Sequence, residues 1–190
     1  MPSRPGAGRL GRAARAAFTA TLPGLLAVTV AFAETNPLEL AIEATYLVKF
    51  GAFVEWPAGA FPTATSPFYL CVAGTHPFGS LLDRAAAGAS VDRHPIAIRR
   101  LDAVPRDVGC HILFVGAGGQ PPLDAALAAV RGKPVLTVTA VPPAEPRKGI
   151  VNFVMQNNHV RFAIDDRQAA ADGLRISSQL LTLAVNLHSR

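Results

Sequence analysis

Apolar and polar positions follow several distinct periods along this chain, and each change of period marks an element. From Ala16 to Val30 the chain is almost wholly apolar, broken by threonines and by Pro23-Gly24. A helical period then begins: Asn36 suits an N-cap, Pro37 suits the first helical position, and Leu38, Leu40, Ala44, Leu47, Val48, Gly51 and Val54 recur until Trp56-Pro57 ends the helix. Glu39, Glu43 and Lys49 mark its wet side. A buried strand is predicted over Phe68–Ala73, closed by Gly74, and a short helix over Phe78–Ala87. His94–Leu101 alternates and reads as a strand with one exposed edge, and Cys110–Val115 is a second apolar strand. A helix over Leu123–Val130 and a third buried strand over Val135–Ala140 follow, the latter capped by the loop from Val141 to Pro146. Val151–Gln156 and His159–Ile164 alternate across Asn157-Asn158, whose side chains tolerate the positive φ of a two-residue hairpin turn. Two helices close the chain, one around Arg167–Ala171 and an amphipathic one from Ser178 with Leu180, Leu183, Ala184 and Leu187 on one face.

Strands that alternate with helices imply an α/β domain with a mostly parallel, helix-flanked sheet, and the hairpin adds antiparallel strands at one edge near the C-terminus. Half of the residues are hydrophobic and 16% are charged, which excludes a disordered chain and permits a packed core. No low-complexity linker and no internal repeat divides residues 34–190, so a single compact domain is expected there.

Charge changes the picture of the N-terminus. The 190 residues carry a formal net charge of +5, but Arg4, Arg9, Arg12 and Arg15 supply most of it, and no acid precedes Glu34. A basic segment, an apolar run and the small residues of Ala31-Phe32-Ala33 read as a signal peptide over residues 1–33. The run is short for a transmembrane span and is interrupted by Pro23-Gly24. No adjacent arginine pair precedes it, so the general secretory route to the periplasm is expected. Without those four arginines the balance falls to +1, and Arg99-Arg100 and Arg147-Lys148 are isolated pairs without interleaved aromatics. Nucleic acid is not an expected partner.

The strand-to-helix loops of such a sheet are where cofactors bind. Gly116-Ala-Gly118-Gly-Gln-Pro121 has Pro121 where a dinucleotide loop needs its third glycine, and Gly74-Thr-His-Pro-Phe-Gly79-Ser80 lacks the phosphate-loop lysine. Both read as turns, and no cofactor is expected. His76, His94, His111, His159 and His188 show no metal-ligand spacing, and no serine lies in a nucleophile elbow. Each histidine reads as structural or exposed, and Asp165-Asp166, between a strand and a helix, reads as a cap. No catalytic or metal residues are assigned. Cys71 and Cys110 are the two cysteines; in an oxidising compartment, and on neighbouring strands, they lie within disulfide range, the alternative being two buried thiols.

Several blocks in order carry a resemblance: YLVKFGAFVEWP from Tyr46 to Pro57, CVAG from Cys71 with Pro77-Phe78-Gly79, CHILFV from Cys110, KPVLTV from Lys133, VRFAID from Val160, and GLRISSQLL from Gly173. Together they resemble the YfiR-like family. The first and last blocks are the specific ones. The family more often has a longer side chain where Ala52 stands, an acid at Ala163 and an asparagine at Asp165. The resemblance implies a periplasmic α/β repressor rather than an enzyme. It implies docking on the periplasmic sensor domain of an inner-membrane diguanylate cyclase, restraint of cyclic di-GMP synthesis, control of biofilm and motility, and sequestration by an OmpA-like outer-membrane lipoprotein. A homodimer is expected. Phe53, Glu55 and Trp56, after Phe50 at the helix end, are the candidate partner surface, with Arg161 and Arg175 as polar contacts. Two further readings stand beside this one: a periplasmic small-molecule binding module feeding a sensor kinase or transporter, and a hydrolase.

Overall fold

The computed structural model describes residues 36–75 and 78–185. The expected signal peptide, His76, Pro77, Leu187 and His188 lie outside them.

The first helix, α1, spans Pro37–Phe50. The Asn36 side chain caps it by accepting a hydrogen bond from the Leu38 N–H at 2.9 Å. It ends earlier than its apolar period suggests. Gly51–Phe53 tightens into a 3-10 turn, and Val54–Glu55 is extended as strand β1. Two contacts set this boundary. A Cβ on Gly51 would stand 2.7 Å from Val91 and 2.9 Å from Phe68, so the chain there presses against the sheet. Pro57 also disfavours helical geometry at Trp56.

Strand β2 is Phe68–Ala73, helix α2 Ser80–Ala86, strand β3 Ser90–Val91 and strand β4 His94–Leu101. Strand β5 (Ile112–Val115), helix α3 (Leu123–Val130) and strand β6 (Leu136–Thr139) follow. The hairpin is β7 (Val151–Gln156) and β8 (His159–Ile164), turned by Asn157 and Asn158 at φ 51° and 59°. Helix α4 (Asp166–Ala171), strand β9 (Arg175–Ile176) and helix α5 (Ser178–Leu183) end the described chain. Asp165 caps α4, its carboxylate accepting from the Gln168 N–H at 2.9 Å.

Seven strands form one sheet in the order β3-β4-β2-β5-β6-β7-β8. The central five run parallel, and β3 and β8 pair antiparallel, so both edges are antiparallel where the sequence indicated one. The missed edge, β3, is too short to show a period. One face packs Leu70, Val72, Ile112, Phe114, Leu136 and Val138 against α1, α2, α4 and α5. The other packs Cys71, Ala73, Leu113 and Val115 against α3 alone.

The bridge between Cys71 and Cys110 joins this second face, with Cα atoms 5.9 Å apart. It forms because β2 and β5 are neighbours, Leu70 standing opposite Ile112. In chain order the five parallel strands stand 2-1-3-4-5, which puts the topological switch point between β2 and β5. The two glycine-rich loops meet there and close on each other. The Thr75 N–H and Oγ1 both donate to the Gly118 carbonyl at 3.2 Å, and a Cβ on Gly116 would overlap the Thr75 carbonyl.

Candidate partner-docking surface

A separate two-stranded sheet pairs β1 with β9. Val54 stands opposite Ile176 and Glu55 opposite Arg175. Alternation then decides which side chains face out: Val54 and Ile176 join the core, and Glu55 and Arg175 project into solvent. The Arg175 guanidinium meets the Glu55 carboxylate at 3.3 Å, with both side chains at least three-quarters exposed. The Phe53 carbonyl accepts from the Ser177 N–H at 2.9 Å, extending the join by one residue and leading into α5, which the Ser177 hydroxyl caps.

Phe53 and Trp56 are half-buried against the core rather than free, and Phe50 is fully inside it. Trp56 sets its ring edge-on to Phe68 at 5.4 Å and to His111 at 5.7 Å. Four of the five residues singled out from the sequence, Phe53, Glu55, Trp56 and Arg175, therefore come together. Arg161 does not join them. Its neighbours Val160 and Phe162 face the core, Phe162 against Tyr46 and Phe50 of α1, so Arg161 points from the opposite sheet face, exposed on the edge strand.

Two features near this surface escaped the sequence. Glu43, placed on the wet side of α1, is half-buried, and the exposed positions along that stretch are Thr45 and Lys49. Burial, and then the Glu39 carboxylate one turn earlier, push its carboxyl up to about 7. The second feature is a pair of buried histidines, His94 and His111, packed around Phe61 in the loop after Trp56. No spacing signal marks them, since they come from different strands and a loop.

A cleft of about 680 Å³ opens between α3, α4 and the start of β7. Asp172 is buried in its wall, accepting from the Gly132 N–H at 2.7 Å and Gln168 Nε2 at 3.0 Å. Arg147 pairs with Asp124 at its rim. Among the described residues no cluster of histidine, cysteine and carboxylate groups has the arrangement to hold a metal ion, and no helix is long and apolar enough to cross a membrane.

The YfiR/HmsC-like family matches residues 40–185. The chain belongs to that family. No curated protein matches it. The two most specific family blocks, Tyr46–Pro57 and Gly173–Leu181, are the segments that meet as β1 and β9. The disulfide fits a protein exported to an oxidising compartment, as does the family.

Proposed function

We propose that this domain is a periplasmic negative regulator that docks on the sensor domain of an inner-membrane diguanylate cyclase and restrains cyclic di-GMP synthesis. Family membership over residues 40–185 carries the reading. The β1–β9 join supports it, because it holds Glu55 and Arg175 in solvent on one edge built from the two specific family blocks, with Phe53 and Trp56 half-buried beside them. Repression of this kind needs no reacting group. It needs a surface with different affinity for two states of the partner, and that difference alone sets the shift.

In this reading an OmpA-like outer-membrane lipoprotein releases the cyclase by sequestering the repressor, and the repressor is a homodimer. Deleting the gene in a strain that carries the partner cyclase raises intracellular cyclic di-GMP, and complementation with the wild-type gene lowers it again. An unchanged level sinks the proposal.

The 680 Å³ cleft favours a second reading, a small-molecule binding module feeding a sensor kinase or transporter, because its volume suits a small ligand. A compound that raises the melting temperature of the isolated protein, together with no capture of a cyclase, decides for that reading.

A further inference from the structure

Residues 57–67 form an irregular loop between β1 and β2. Among the described residues, two hydrogen bonds tie this loop to the rest of the domain, and both come from imidazoles. His111 Nε2 lies 3.0 Å from the Ala60 carbonyl, and His94 Nδ1 lies 2.7 Å from the Ser66 carbonyl. Phe61, at the centre of the loop, is stacked on both rings: 3.8 Å and 8° from His94, 4.5 Å and 15° from His111. Two rings parallel to a third at such distances would overlap if they shared one face, so Phe61 is sandwiched between the imidazoles.

The partners of His111 fix its protonation. A carbonyl only accepts, so Nε2 carries hydrogen toward Ala60. The Tyr69 N–H donates to Nδ1 at 3.0 Å, so Nδ1 carries none. The ring is therefore neutral in a single tautomer. A proton on Nδ1 would confront the Tyr69 N–H, donor against donor. Tyr69 cannot yield, because β2 is held between β4 and β5. The ring must turn, and turning removes both its bond to Ala60 and its face from Phe61.

We propose that this stack is an acid-released latch, in which a proton taken up at His111 Nδ1 expels Phe61 and detaches residues 57–67, with Trp56, from the sheet. The groups facing His111 favour release once the proton arrives. His94 lies across Phe61 from β4, Arg99 of the same strand sits 3.2 Å over the Tyr69 ring, and Arg106 and Lys133 line the small cleft beside His111. Asp107 is the acid of that cleft, and no ion pair to His111 forms among the described residues. Burial lowers the basicity of His111 below the ordinary histidine value of 6.5; the Ala60 carbonyl opposes this, while His94 and Arg99 add to it. The latch is therefore closed above that value and weakens as pH falls beneath it. It operates in the isolated domain, whichever partner the domain serves.

Trp56 is the single tryptophan and reports on the stack directly. The experiment follows its emission in the purified, disulfide-bonded protein from about pH 8 to about pH 5, alongside far-ultraviolet circular dichroism. A sigmoidal emission change with its midpoint below 6.5, at constant ellipticity, is expected. His111→Gln abolishes it, and Phe61→Leu removes the emission change while His111 still titrates by nuclear magnetic resonance. Between pH 6.5 and the midpoint, hydrogen-exchange protection of the Tyr69 amide, which donates to His111 Nδ1, falls about tenfold per pH unit once corrected for intrinsic rate. If His111→Gln does not fold, the wild-type exchange data and Phe61→Leu decide. Flat emission, a change coincident with loss of ellipticity, protection independent of pH, or a transition that survives His111→Gln overturns the latch.

Discussion

Glu55 and Arg175, 120 residues apart in sequence, stand opposite one another in the β1–β9 pair with their charged groups 3.3 Å apart. So exposed a pair contributes about 0–1 kcal/mol to stability. Its removal therefore tests docking without unfolding the domain. Arg175→Glu is expected to leave the melting temperature within about 2 °C of wild type and, if the proposed docking holds, to weaken capture of the cyclase sensor domain at least tenfold. Equal capture by the two proteins would remove this edge from the partner surface.

The Cys71–Cys110 bridge closes a loop with a sequence separation of 39. In the chain-entropy view such a loop raises stability by about 4 kcal/mol over the reduced chain. Both cysteines are buried, so Cys71→Ala with Cys110→Ala adds a packing loss. Urea unfolding of the double variant should show a midpoint well below that of the oxidised wild type. It should also respond far less than wild type to added reductant.

Glu43 gives stability an unusual pH dependence. Its carboxyl is raised in the folded state from 4.5 to about 7, so the native protein holds this proton to higher pH than the unfolded chain does. The contribution is fully present below 4.5 and is lost as pH climbs to about 7. Allowing for partial solvent access, the loss is about 2 kcal/mol. Glu43→Gln should therefore melt about 4–8 °C above wild type at alkaline pH, and the gain should vanish near pH 4.5. An equal gain at both values would assign the effect to packing instead.

The hairpin turn tests the backbone. Asn157 and Asn158 both hold positive φ, at 51° and 59°. Asn158→Gly should keep or slightly raise stability, since glycine enters this region without strain, whereas Asn158→Val should cost about 1–2 kcal/mol. Chemical denaturation of the two variants checks the order, and β7–β8 amide exchange locates the loss.

The sequence by itself determined most elements of the domain. Apolar runs of four to eight residues gave β2, β4 and β5 to within about two residues, helical spacing gave α3, and Asn157-Asn158 gave the hairpin, because local sterics and burial periods act within a few residues. The two cysteines and the family blocks were equally legible. Tertiary structure decided everything that required two distant segments to meet. Val54–Glu55 carries on a helical period yet is extended, because pairing with Arg175–Ile176 and the close approach of Gly51 to Val91 and Phe68 outweigh local propensity. Glu43 reads as surface and is half-buried, because the elements packed around α1 set its solvation rather than its neighbours in sequence. His94, Phe61 and His111 are unremarkable one at a time. They become a stack only because the parallel order puts β4 and β5 on either side of β2, with the loop that precedes β2 laid across their starts. Periodicity records which face of an element is apolar; which charge or ring ends up beside which depends on strand order, which no local pattern encodes.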